Sequence, residues 1–336
     1  MKFTLLCIGS HGDIRPYIAL GSGLKKKGHE VTIASHAKAQ NLSKKYGLKF
    51  KLVEGDLTEM IGKKRGYEIF WGSKGKRWRQ LINIMKEFKL ALKKQLPASI
   101  EATSDADVLI YSPAAFAGPH LGEYFSIPSF LMQLQPDAPT KQLPSCLFSG
   151  LGKLGKIGCL FSHFLAKQLL WQPIRKEINK WRQNHLGLKK LAFFGPKNLS
   201  TLITFSPTLI PKPNDWGKHV NMTSFCRILD EKEWVPAQSL SNFLSSGEIL
   251  YIGFGSLTEA CHPSIVEKMI EVLSEKKIKT IISAQFPSLL KMKLPLWIYP
   301  LEYAPHDWLF SKVSAVIHHG GVGTLAAGLY AGKPTL

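Results

Sequence analysis

The stretch His318-His319-Gly320-Gly321-Val322-Gly323-Thr324 follows directly on an apolar run, Val313–Ile317. A strand that enters a glycine turn and leaves it as a helix builds an anion site. Bare glycine backbone lets a phosphate approach closely, and the free N–H groups of the first helical turn point at it with the positive end of the helix dipole. The pattern predicts a helix opening at Thr324, with His319 as a side-chain donor at the mouth. The turn spells neither GxGxxG nor GxxxxGK[ST], so it supports neither a dinucleotide nor a Walker site. As bare structure it would be a tight strand-to-helix connection; the His-His prefix favours the anion site.

Two further turns of this type open the two halves of the chain: Gly9-Ser10-His11-Gly12-Asp13-Ile14-Arg15-Pro16 and Gly253-Phe254-Gly255-Ser256. In open parallel sheets ligands sit beyond the carboxyl ends of the strands, where such turns lie. Asp13 stands just before a predicted helix. There a carboxylate can act as an N-cap or, at a cleft, as a general base.

These turns need a scaffold of alternating strands and helices. Strands are predicted at Phe3–Ile8, Val31–Ala34, Phe50–Val53, Asp107–Tyr111, Pro128–Leu134, Leu202–Phe205 and His219–Thr223. Helices are predicted at Pro16–Lys27, Ala37–Tyr46 and Ala114–Phe125, with a long amphipathic region over Ile157–Leu186 after a Pro- and Gly-rich loop at 135–155. Residues 230–246 carry Pro236, several serines and linker chemistry. A second alternation follows: Ile249–Phe254, a helix near Ser264–Ser274, Thr280–Ala284, Leu296–Leu301, Asp307–Phe310, Ser314–Ile317, a helix over Thr324–Tyr330, and one more strand opening at Lys333–Leu336. Such alternation predicts α/β architecture with parallel sheets.

A chain of 336 residues with 45% hydrophobic content has room for two domains with real cores. The five scattered cysteines contain no CxxC pair and read as small buried apolar residues, with no zinc site or disulfide frame. Met1-Lys2 with Phe3–Ile8 resembles a signal start, but the run is too short and reads as a first strand. No apolar run reaches the ~18 residues of a membrane span.

The net charge of +20 is uneven. One basic cluster runs from Lys63 to Lys94 with Tyr67, Phe70, Trp71 and Trp78 interleaved. A second runs from Lys153 to Lys190 with Leu160, Phe161, Phe164, Leu165, Trp171 and Trp181. Solvated Lys-rich helix faces explain them most simply, an anionic membrane surface comes second, and nucleic acid, with no recognition motif present, comes last.

The N-terminal turn with Tyr17-Ile18-Ala19-Leu20 and Lys27-Gly28-His29-Glu30-Val31-Thr32 resembles the signature of GT-B glycosyltransferases. The nearest branch is the sterol glucosyltransferases, with bacterial antibiotic and macrolide glycosyltransferases as relatives. Pro213-Asn214-Asp215-Trp216-Gly217, Tyr251-Ile252-Gly253-Phe254-Gly255-Ser256, Tyr303-Ala304-Pro305-His306-Asp307-Trp308-Leu309-Phe310 and the His318-His319 turn match in colinear order over essentially the whole chain.

The resemblance implies two facing Rossmann-like, doubly wound domains. Residues 1–228 would bind the acceptor, 229–247 would link, and 248–336 would form a nucleotide-sugar domain that is incomplete. The family continues past the position of Leu336 with an Asp-Gln pair for the sugar hydroxyls and closing helices. Asp13 takes the place of the catalytic base. Ser10, Gly12, Ser256, Tyr303, His306, His319, Gly321, Gly323 and Thr324 fall at donor-binding positions. Ala327 stands where plant relatives carry a ribose-binding carboxylate.

The implied reaction is inverting transfer of a hexose, glucose first, from a UDP-sugar to a hydroxyl of a sterol or other lipid. It needs no metal and no cofactor beyond that co-substrate. The implied setting is cytoplasmic, with peripheral contact to an anionic membrane and no nucleic-acid partner. A soluble aglycone such as a macrolide, or an inactive product that binds nucleotide or lipid, are the alternatives.

Overall fold

The computed structural model describes residues 1–56, 77–228, 234–245, 247–255, 261–284, 286, 289 and 292–336, with backbone alone at 77–85. Ser256 and the cluster residues Lys63, Lys64, Arg65, Tyr67, Phe70, Trp71, Lys74 and Lys76 lie outside the described residues. The chain divides into two units, with the main division between Arg227 and Ile228.

The first unit holds strands β1 (Lys2–Leu6), β2 (Glu30–Ser35), β3 (Lys49–Leu52), β4 (Val108–Tyr111), β5 (Ser129–Gln133), β6 (Ser200–Ile203) and β7 (Val220–Met222). They form one sheet in the order β3-β2-β1-β4-β5-β6-β7, parallel throughout. Central strands buried on both faces read as near-continuous apolar runs, as in the fully buried Val108-Leu109-Ile110-Tyr111. Edge strand β3 instead carries Lys49 and Lys51, charges that discourage further pairing.

Its helices are α1 (His11–Lys26), α2 (Gln40–Lys45), α3 (Arg77–Thr103), α4 (Gly118–Phe125), α5 (Gly155–Trp171) and α6 (Arg175–Leu186). The predicted 157–186 helix is therefore two helices. Pro173 cannot donate a helical N–H, and the break falls there. Helix α1 opens at His11, five residues before Pro16, because Ser10 serves as N-cap.

Trp171 and Trp181 are 5% exposed and pack with Leu6, Leu109, Leu121 and Ile178. They belong to the core rather than to an open aromatic face. Cys7 and Cys159 are buried as expected; Cys146 is exposed, and Cys226 and Cys261 are half-buried.

The second unit has β8 (Leu250–Gly253), β9 (Thr280–Ser283), β10 (Ile298–Leu301) and β11 (Ala315–His318), parallel in the order β10-β9-β8-β11. Thr335 bridges Val316 in parallel, so residues after Lys333 run alongside β11 as the predicted further strand. The unit's helices are α7 (Gln238–Leu244), α8 (Pro263–Glu275), α9 (His306–Leu309) and α10 (Val322–Tyr330), with a 3-10 turn at Phe310–Lys312. Helix α7 lies within the stretch read as linker. Its Leu240 is 1% exposed and packs with Ile249, Tyr251 and Phe310, and the spacing Leu240, Phe243, Leu244 explains why a short helix forms there.

Candidate functional site

Each sheet reverses direction of winding at one point, between β1 and β4 in the first unit and between β8 and β11 in the second. The three sequence-identified turns follow β1, β8 and β11 and so sit at these switch points, where α/β sheets bind ligands.

In the first unit Ser112, just past β4, joins the two strand ends. Its Oγ accepts from Ile8 N–H at 2.9 Å and donates to Ile8 O at 3.1 Å. The Tyr17 hydroxyl of α1 donates to Met132 O of β5 at 2.5 Å and locks the helix across the sheet. Asp13 is exposed at the third helical position of α1, not at the N-cap. Its Oδ2 accepts from Ser10 N–H at 2.7 Å and from Ser10 Oγ–H at 2.8 Å. Gly9 makes this possible, since a Cβ there would lie 2.7 Å from Asp13 Oδ2. The capping role and an oriented carboxylate coexist: both bonds fall on Oδ2, and Oδ1 has no hydrogen-bond partner among the described residues. Ser10, Gly12 and Asp13 thus share one turn.

In the second unit His318 pairs with Gly253 in the β8–β11 ladder, which sets Gly255 and His319 against each other. Helix α10 opens at Val322 rather than Thr324, with Gly321 as N-cap. Leu325 N–H donates to Gly321 O at 2.9 Å, so the N–H groups of Val322, Gly323 and Thr324 are the first-turn donors without helical partners. A Cβ on Gly321 would lie 2.7 Å from His319 Nε2, whereas one on Gly323 meets nothing within 4 Å. Gly323 therefore keeps open space beside those donors, and packing does not require it.

The His-His prefix singled out His318 but gave it no role of its own. Its Nδ1 accepts from Gly320 N–H at 3.0 Å, which fixes the turn and leaves the proton on Nε2. Burial, then the neighbouring His319, holds His318 below the ordinary histidine pKa; partial burial does the same for His319. No sequence pattern announces a side chain whose role is to accept from its own turn.

Tyr303 is 57% exposed on the connection from β10 to α9. His306 stacks on Phe310 at 4.6 Å and 13° and lies 5.8 Å from the Tyr251 ring. Ala327, where a ribose carboxylate would stand in plant relatives, is 6% exposed inside the core, a place unsuited to a charge. Among the described residues no group of three His, Cys, Asp or Glu could hold a metal ion, and no helix is long and apolar enough to cross a membrane.

The fold is that of the GT-B glycosyltransferases. It matches the glycosyltransferase SnogD from Streptomyces nogalater with a TM-score of 0.66 at 18% identity, covering 100% of this chain and 80% of that one. The glycotransferase of kitacinnamycin gives 0.65 at 17% identity, covering 99% and 79%. Residues 3–144 match the family model of the glycosyltransferase family 28 N-terminal domain. Its sequence is similar throughout to sterol 3-beta-glucosyltransferases. It is 32% identical over 351 residues to that of Emericella nidulans, covering 100% of this chain and 25% of the relative, and 33% identical over 352 residues to that of Candida albicans, covering 100% and 23%. The chain thus spans about a quarter of the length of these curated relatives.

Proposed function

We propose that this chain transfers a hexose, glucose first, from a UDP-sugar to the hydroxyl of a sterol or other membrane lipid, with inversion at the anomeric carbon. The observation that carries the reading is similarity to sterol 3-beta-glucosyltransferases along its whole length. The geometry suits the chemistry. Asp13 takes the acceptor hydroxyl proton, on the Oδ1 left free by Ser10, as that oxygen attacks the anomeric carbon. The bond from that carbon to the β-phosphate oxygen breaks, and UDP departs. His319 and the first-turn N–H groups of α10 receive the diphosphate, with Ser256 as a further contact and Tyr303 and His306 beside the base. The scheme uses no metal, and peripheral contact with an anionic membrane belongs to it.

Incubating the chain with UDP-[14C]glucose and ergosterol in detergent should give a labelled β-glucoside, abolished in Asp13→Asn. Label passing only to a soluble aglycone such as a macrolide would refute the lipid acceptor. UDP bound without any transfer would leave a nucleotide-binding product.

A further inference from the structure

Helix α5 is inside out. Its buried positions are Gly158, Cys159, Ser162, His163, Ala166 and Trp171, while Ile157, Leu160, Phe161 and Phe164 are 82%, 41%, 48% and 39% exposed. These four recur at helical spacing and form the stripe that an ordinary surface helix turns inward. Polar bonds on the inner side hold the orientation. Ser145 N–H donates to Ser162 Oγ at 2.8 Å, Ser162 Oγ donates to Cys159 O at 2.6 Å, and His163 Nε2 lies 3.0 Å from Leu143 O. The apolar ridge continues through Phe193 and Phe194, 47% and 48% exposed, with Phe194 6.3 Å from Phe164.

Beside the ridge lies a cleft of about 640 Å³. Lys89, Arg175, Lys176, Lys180 and Lys190 line it, and no carboxylate does among the described residues. None of the five forms an ion pair among the described residues. Cleft and ridge are one face: Arg175 belongs to the cleft, and its guanidinium carbon lies 5.7 Å from the Phe193 ring centroid. Gln172, also in the cleft wall, donates through Nε2 to Phe193 O at 3.0 Å. Lys197 Nζ stands 5.6 Å over Phe194.

We propose that this face docks on an anionic lipid bilayer. The cleft takes the phosphate of a lipid headgroup, and the ridge enters the boundary between headgroups and acyl chains. Five clustered cations repel one another until an anion arrives, and each Lys or Arg near an anionic surface contributes ~1 kcal/mol. A basic rim beside exposed aliphatic and phenylalanine side chains is the signature of an interfacial element. Nucleic acid would satisfy the cations but leave Ile157 and Leu160 in water. The inference rests on the membrane-lipid part of the proposed function, and it predicts docking whether or not sugar is transferred.

The test is cosedimentation of the 336-residue chain with vesicles of phosphatidylcholine alone or containing phosphatidylglycerol. Binding should require the anionic lipid. Lys176→Glu/Lys180→Glu should weaken it roughly tenfold or more, Lys176→Arg/Lys180→Arg should retain it, and Phe161→Ser/Phe164→Ser should lose it with an unchanged circular dichroism spectrum. The Lys→Glu pair should glucosylate detergent-solubilised sterol as well as wild type does. The inference is overturned if wild type binds both vesicles equally, or if the charge reversals leave binding intact. It is also overturned if millimolar inorganic phosphate displaces the chain from vesicles regardless of the phenylalanines, or if a single-stranded RNA binds with the same dependence on all four residues. Vesicle docking that passes these arms in a chain that transfers no sugar would sink the proposed function and leave the docking face standing.

Discussion

The imidazole of His319 lies against the backbone of Gly255: a Cβ on Gly255 would come within 2.9 Å of His319 Cε1. The two residues leave the ends of adjacent parallel strands, so the β8–β11 register brings two separate glycine turns together. Gly255 also has φ +51°, a conformation that L side chains rarely adopt.

Gly255→Ala should therefore weaken UDP binding by displacing His319. Strain in the left-handed region and the displaced donor, at ~1–3 kcal/mol, correspond to about tenfold or more in Kd. Isothermal titration calorimetry in a double-mutant cycle separates the cause. In a His319→Ala background the Gly255→Ala change should cost much less. Equal costs in both backgrounds would mean that Gly255 acts independently of His319.

Donor binding should carry a pH dependence of defined sign. Burial holds His319 below its ordinary pKa, so the imidazole is neutral in the empty site at neutral pH. A diphosphate beside it favours the imidazolium and raises the pKa in the complex. Binding of UDP-glucose should then take up a proton. Affinity should strengthen as pH falls through the pKa of the complex and level off below the pKa of the empty site. Calorimetry in buffers of different ionisation enthalpy reads that proton directly. His319→Gln should abolish the uptake, and uptake undiminished in that variant would assign the proton elsewhere.

Asp13→Asn should reduce turnover by ~10²–10⁴-fold with little change in UDP affinity. Asn can still accept from Ser10 N–H, so the cap of α1 survives and loss of rate is not loss of fold. Ser10→Ala removes one of the two donors that hold Oδ2, and should lower kcat modestly while costing at most ~1 kcal/mol of stability. Near-normal turnover in Asp13→Asn would leave Asp13 as a helix cap and nothing more.

The three turns were legible in the sequence because glycine, a short polar residue and an apolar run occupy fixed positions in a strand-turn-helix unit. The strands were legible because parallel strands are buried on both faces, and four consecutive apolar residues such as Val108–Tyr111 have few other readings. Helix starts were less so. Ser10 and Gly321, rather than Pro16 and Thr324, open α1 and α10, because capping depends on backbone geometry that residue type only biases. The amphipathic character of α5 was visible, but not that its apolar stripe faces out, since the inner bonds to Leu143 and Ser145 are tertiary. Arg182 falls within the basic cluster from Lys153 to Lys190, yet it is 1% exposed, and its side-chain partners His120 and Glu123 lie on a helix distant in sequence.

That arginine yields a prediction about stability. Arg182 Nη1 donates to His120 Nδ1 at 3.0 Å and to Glu123 Oε2 at 2.7 Å, Nη2 donates to Glu123 Oε1 at 3.1 Å, and Nε donates to Lys189 O at 2.9 Å. A guanidinium only donates, so His120 Nδ1 must be bare and the ring neutral. Burial first, and the Arg182 charge second, push the His120 pKa down to about 3. In the unfolded chain it returns to about 6.5. Between those values the unfolded chain binds a proton that the folded chain does not. Stability should therefore fall as pH drops from about 6.5 toward 3, by up to about 1.4 kcal/mol per pH unit from this group. His120→Gln can keep an acceptor for Arg182 and removes the titration. Urea denaturation between about pH 7 and pH 5 should show the variant losing less stability than wild type. Arg182→Ala should cost on the order of 3 kcal/mol at neutral pH, because it strips the partner from His120 and from the Lys189 carbonyl together. If wild type and His120→Gln lose stability in parallel, His120 is not the group that binds the proton.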